Sequence, residues 1–189
     1  MKTHKLTDDY ENFYTFTIKG VELYSKMPDY SPRFEAKSRV DEWVTPNASF
    51  YATANYTNEK VSIPDITTWV TGNLVLNTKA YDLLFDKLKG AGEFLPVSIE
   101  GIDYYIFNTL NVIDDSCINK DNAQEVIGGG VNVGLENISF NTDGLGNELV
   151  FKFKSTSDHV LHTYCTENFK QLLADNDLKG LLFTGMVVE

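Results

Sequence analysis

A change of hydrophobic period between residues 74 and 108 constrains this chain most. Leu74-Val75-Leu76 is a short apolar run with strand character, and Asn77 or Thr78 follows it as a helix cap. Beyond the cap, Lys79, Asp82, Asp86 and Lys89 repeat at helical spacing on one side, and Tyr81, Leu84, Phe85 and Leu88 repeat on the other. The spacing predicts an amphipathic helix, closed by Gly90, with one wet face and one buried face. After Pro96 the period falls to two: Val97-Ser-Ile-Glu, a turn pair at Gly101-Ile102, then Asp103-Tyr-Tyr-Ile-Phe-Asn read as a hairpin. A helix that leads into a hairpin, and not into a further strand-helix repeat, argues against a doubly wound parallel sheet.

The rest of the chain agrees. Phe13, Phe16 and Ile18 fall near alternation, Gly20 breaks the run, and Val21, Leu23 and Tyr24 suggest a second strand or a strand with a turn. Pro28, Pro32, Pro46 and Pro64 exclude a long regular element between them, leaving Trp43-Val44 and Phe50-Tyr51-Ala52 as short strands. Asp114 to Gln124 reads as polar and irregular, with a helical turn around Ala123 to Ile127 and a stop at Gly128-Gly-Gly. Val131 to Phe140, Leu149 to Phe153 and His159 to Tyr164 read as strands, the first two separated by the turn-rich Asn141-Thr-Asp-Gly-Leu-Gly-Asn. Thr166 caps a helix with Phe169, Leu172 and Leu173 on its buried stripe, and Leu181-Leu-Phe is a last strand. The expected fold is therefore α+β: a mainly antiparallel sheet with two or three helices in a single domain, 1–189. At this mass roughly 70% of the extended-chain surface is buried on folding, so the core needs neither disulfide nor metal.

Charge narrows the partners. Sixteen Lys and Arg stand against 27 Asp and Glu, a formal charge of -11. Such a field repels phosphate backbones and anionic membranes, so neither nucleic acid nor a membrane surface is an expected partner, whereas a basic protein would be steered in. Solubility alone also accounts for an acidic chain. Cys117 and Cys165 are too few and too far apart for a disulfide framework and read as reduced thiols. The N-terminal residues lack an apolar stretch, which predicts neither a signal peptide nor an anchor, and no apolar run reaches the roughly 20 residues a membrane helix needs. Asn47-Ala-Ser, Asn55-Tyr-Thr and Asn137-Ile-Ser match the glycosylation pattern, but a cytoplasmic chain would not meet that machinery.

Four clusters invite chemistry. His159-x-x-His162-x-x-Cys165 holds soft metal donors, but on a strand His159 and Cys165 point one way and His162 the other. Cys117 or Cys165 would need a histidine from across the fold to become a nucleophile, and a buried inert thiol is the commoner fate. Gly128-Gly-Gly-Val-Asn-Val-Gly134 fails both the dinucleotide and the Walker spacing and leads into a strand, which offers an anion no helix N-terminus. Asp114, Asp115, Asp121 and Glu125 lack calcium-loop spacing and read as a solvated acidic loop or a docking patch for a basic partner. The reading assigns no catalytic residue, no metal and no cofactor. Trp43 or Tyr51, in the aromatic N-terminal third, is the second candidate anchor for a protein partner.

Gly72-Asn-Leu-Val-Leu-Asn-Thr-Lys-Ala, Gly92-Glu-Phe-Leu-Pro-Val, Tyr104-Tyr-Ile-Phe-Asn-Thr-Leu-Asn-Val-Ile-Asp114, Leu149-Val-Phe-Lys-Phe and Leu178-Lys-Gly-Leu-Leu-Phe carry a family resemblance. Over residues 65–189 the chain resembles the bacterial immunity-protein domain, formerly a domain of unknown function, that accompanies polymorphic toxins. These phrases are structural and contain no catalytic signature. Near Asp114 the family pattern often continues with a second Asp and an apolar residue, where this chain has Asp115-Ser-Cys. Residues 1–64 match poorly, as a variable partner-facing part would. The resemblance implies a cytoplasmic protein that binds and neutralises one cognate toxin. A small hydrolase or transferase and an adaptor domain of a secretion system are the alternatives.

Overall fold

The computed structural model describes residues 3–29, 33–53, 61–70, 72–113, 115–119, 124–128, 131–136, 139–141, 145, 148–153 and 162–186. Among these the fold is α+β, with three α-helices and mostly antiparallel strands.

Two larger sheets dominate. The first has the order β15 (Leu181–Met186), β1 (Thr3–Asp8), β14 (His162–Thr166), β13 (Val150–Phe153) and β8 (Val112–Ile113), antiparallel except between β13 and β8. The second has the order β4 (Ile66–Trp69), β5 (Asn73–Leu76), β7 (Ile102–Thr109) and β6 (Gly92–Ile99), antiparallel throughout. Between them lies a core of Leu6, Ile66, Leu74, Leu76, Phe107, Val150 and Cys165, closed by residues of α2 (Thr78–Leu88) and α3 (Glu167–Asp175). Side chains alternate across each strand, so both sheets have a second apolar face to cover. On the first, Ile113, Phe151, Phe153 and Tyr164 pack with Ile118, Phe140 and Leu145. On the second, Val75, Leu95, Val97 and Ile106 are covered by Phe16, Ile18, Leu23, Met27 and Phe34 from the N-terminal third.

That third forms a layer despite its prolines. It contains β2 (Thr15–Thr17), paired with β3 (Ser49–Tyr51), and α1 (Gly20–Lys26). Val21, Leu23 and Tyr24 thus lie on a helix where a strand was expected: only Leu23 is buried, and the other two face out, the one-sided pattern of a short surface helix. Trp43 and Val44 lie in irregular chain and not in a strand, because polar clamps replace ladder bonds here. Glu93 accepts from the Arg39 amide and the Ser38 hydroxyl, each at 2.6 Å, and from the Asn108 amide at 2.9 Å. The Glu22 carboxylate accepts from the backbone and side-chain nitrogens of Asn47 at 2.8 and 3.0 Å, which holds it below the usual carboxylate range.

Helix α2 follows the expected cap: the Asn77 side chain accepts from the Ala80 amide at 2.8 Å. Its buried stripe is Ala80, Leu84 and Leu88. Phe85, expected in that stripe, is 37% exposed. One residue beyond Leu84 it is rotated by about 100° around the helix, and it packs at the edge, against Tyr81 and Phe94. The hairpin β6–β7 turns at Glu100-Gly101, one residue earlier than the spacing suggests, with Ile99 opposite Ile102 and φ of 53° and 83° at the two turn residues. Finally, of the helical turn expected around 123–127, the described residues, from Gln124 on, form a strand instead. β10 (Gln124–Gly128) pairs antiparallel with β11 (Val131–Glu136), since Val126 and Ile127 carry β-branched propensity that a partner strand can use. The preceding segment is also more ordered than expected, with a 3-10 turn at Asp115–Cys117 and β9 (Ile118–Asn119) paired with β12 (Ser139–Phe140).

Candidate functional site

The N-terminal layer and the β6–β7 hairpin together form an open groove of about 340 Å³. Its lining comes from chain segments far apart in sequence: Tyr14, Ser49 and Phe50, Ile63, and Ile99 with Glu100. Backbone bonds fix these segments to one another. The Tyr14 amide donates to Ser62 O at 3.0 Å and the Ala48 amide to Ser98 O at 2.8 Å, while Phe16 and Phe50 are opposed across β2 and β3. The Phe50 ring is held edge-on by Phe16 and Tyr104, at centroid distances of 5.8 and 5.7 Å. The wall is therefore a preset aromatic surface on a buried core, which lowers the entropy lost when a partner docks. Glu100, the one charged residue among the described residues of this lining, is exposed and in a left-handed conformation.

The expected site residues are distributed as follows. Tyr51, 46% exposed, follows Phe50 directly on β3, so its side chain points to the opposite face from Phe50 and stands outside the groove lining. Trp43 is half-buried; its indole N–H donates to Pro96 O at 2.8 Å and its ring meets Phe34 edge-on at 5.9 Å, so it clamps the N-terminal layer to β6. Asp114 and Asp121 lie outside the described residues. Asp115 begins the 3-10 turn and Glu125 lies on β10 opposite Leu135, so these two acids belong to separate elements and not to one loop.

His162 and Cys165 lie three apart on β14 and therefore on opposite faces; His159 lies outside the described residues. Among the described residues no group of three His, Cys, Asp or Glu side chains could hold a metal. The fold does bring a histidine to Cys165: His4 on β1 is its cross-strand partner, and His4 Nε2 lies 2.5 Å from Glu167 Oε2. Sequence reasoning missed this pairing because it spans almost the whole chain. The chemistry of the thiol is nevertheless that of a core residue, since Cys165 is fully buried and desolvation, with Glu167 nearby, pushes it well above the ordinary thiol range. A nucleophilic cysteine needs the opposite shift.

A second buried polar group joins the two sheets. Lys152 on β13 is fully buried and its Nζ donates to Asn73 Oδ1 at 2.8 Å; the Asn73 amide donates in turn to Val70 O at 3.0 Å. Burial pushes the ammonium down to about 8. Sealed inside the core, it serves as a strut between β13 and β5. Among the described residues, no helix is long and apolar enough to cross a membrane. Compared with protein-family models and with curated proteins, the chain matches none.

Proposed function

We propose that this chain is a cytoplasmic immunity protein that binds a cognate protein toxin and neutralises it by occupying the toxin's working surface. The observation that carries the reading is the groove: aromatic lining at Tyr14 and Phe50, and an acidic residue, Glu100, beside it. Aromatic anchors on a rigid support are what protein-recognition hot spots use. The charge of -11 favours a basic partner, and the phrases resembling immunity proteins sit on β5 and α2, β6, β7 and β8, β13 and the start of β15; those on β5, β6 and β7 lie in the sheet that the N-terminal layer covers.

Growth rescue tests this directly. The product of the gene beside this one is induced in a bacterial host with and without this chain; arrest without it, and growth with it, is the expected outcome. If the neighbouring product is not toxic, or if its toxicity is unrelieved and the two purified proteins form no complex, the reading fails.

A further inference from the structure

The groove has a feature that its structural role does not require. The β6–β7 hairpin closes with a two-residue turn whose first central residue, Glu100, has φ of 53° and whose second, Gly101, has φ of 83°. Turns of this kind favour Asn, Asp or Gly at the first position: the Cβ of an L residue crowds the following carbonyl there, a clash that Gly lacks and that Asn and Asp offset with a local hydrogen bond. A glutamate is therefore a local cost to the hairpin. That cost falls on the one charged residue among the described residues of the groove lining, which Tyr14 and Phe50 share. Aromatic rings with a carboxylate at the rim make a receptor for a cation: the rings supply their negative faces and the carboxylate supplies a charge-assisted hydrogen bond. The chain's net charge of -11 adds a long-range field of the same sign.

We infer that the groove receives a basic side chain of the protein partner, an arginine or lysine, with Glu100 as its counter-charge and Tyr14 and Phe50 as its aromatic walls. This deepens the toxin-binding reading by naming the chemistry of the contact, and it rests on that reading for the identity of the partner.

N-acetyl-arginine methylamide is the probe, with the leucine and glutamate analogues as controls. It is titrated into the full chain while nuclear magnetic resonance shifts are followed at Phe50, Tyr51 and Ile99 to Gly101. Saturable shifts confined to these positions are expected for arginine, with the leucine analogue weaker by about tenfold and no binding of the glutamate analogue. Glu100→Asn should weaken the arginine complex by about tenfold and at the same time raise the unfolding midpoint, since asparagine suits the turn. Phe50→Leu should weaken it without the gain in stability. Equal binding of arginine and leucine analogues, shifts spread over the acidic surface without saturation, or an arginine complex indifferent to Glu100→Asn would each overturn the assignment. Growth rescue by the unaltered chain is independent of these shifts, so a failure of the groove assignment is distinguishable from a failure of the toxin-binding reading.

Discussion

Lys152 is the residue whose physics has the clearest outward sign. Its amine titrates near 8 in the folded chain against 10.5 for an exposed lysine, because the sealed space between the sheets disfavours the charged form. Between these values the unfolded chain holds more protons than the folded one, so stability rises with pH across that window. Below about 8 both states are protonated and the full cost of the buried ammonium is present. Tyr104 and Tyr105 act in the opposite sense near the top of the window, since burial raises both phenols. The informative quantity is therefore the difference between the unaltered chain and Lys152→Met. By chemical denaturation that difference should grow in favour of lysine by a few kcal/mol at most from pH 8 to 10.5. A difference independent of pH would mean that the ammonium is better solvated or paired than the Asn73 contact implies.

At the scale of elements, α2 allows a graded test of facing. Leu84 is fully buried between the helix and the sheets, and Leu84→Ala should cost about 2–5 kcal/mol in denaturant unfolding. Phe85→Ala should cost clearly less, since more than a third of that residue is already in water. Lys79→Ala, which removes an exposed contact to Asp177 O, should cost under about 1 kcal/mol. Similar losses at all three would refute the facing. This helix was legible in the sequence because cap, periodicity and breaker coincide within one stretch. β1 was not, because Thr3-His-Lys-Leu-Thr-Asp holds a single large apolar residue; it lies inside a sheet only because β14 and β15 flank it, and the Nε2 of its buried His4 pairs with a helix-start glutamate from the far end of the chain. Helix α1 lacks a side-chain cap bond and is only seven residues long, so its sequence signal is weak. The groove was legible only in its ingredients. The strand carrying Phe50 and the β6–β7 turn could be read locally, but their meeting depends on Asn47 bridging to Ser98 and Phe13 to Ser62, pairings that no local pattern encodes.

For the whole molecule, the charge of -11 and the groove make separable claims about binding. Long-range attraction acts before contact and is cut short by a Debye length of about 8 Å at physiological salt, so it governs the on-rate. Contacts in the groove act after docking and govern the off-rate. If a basic toxin is the partner, as proposed, association should slow as salt rises while dissociation changes little. Reversing Asp114 and Asp115 to Lys should slow association by about tenfold, and the unfolding midpoint should barely move. Tyr14→Ala and Phe50→Leu should instead speed dissociation and leave the salt dependence of association intact. Stopped-flow kinetics on the two sets separates the two roles. If the aspartate variants associate at the unaltered rate while groove variants dissociate faster, recognition is local to the groove and the acidic segment has no part in steering. Binding that ignores salt, aspartates and groove alike would mean that another face of the molecule meets the toxin.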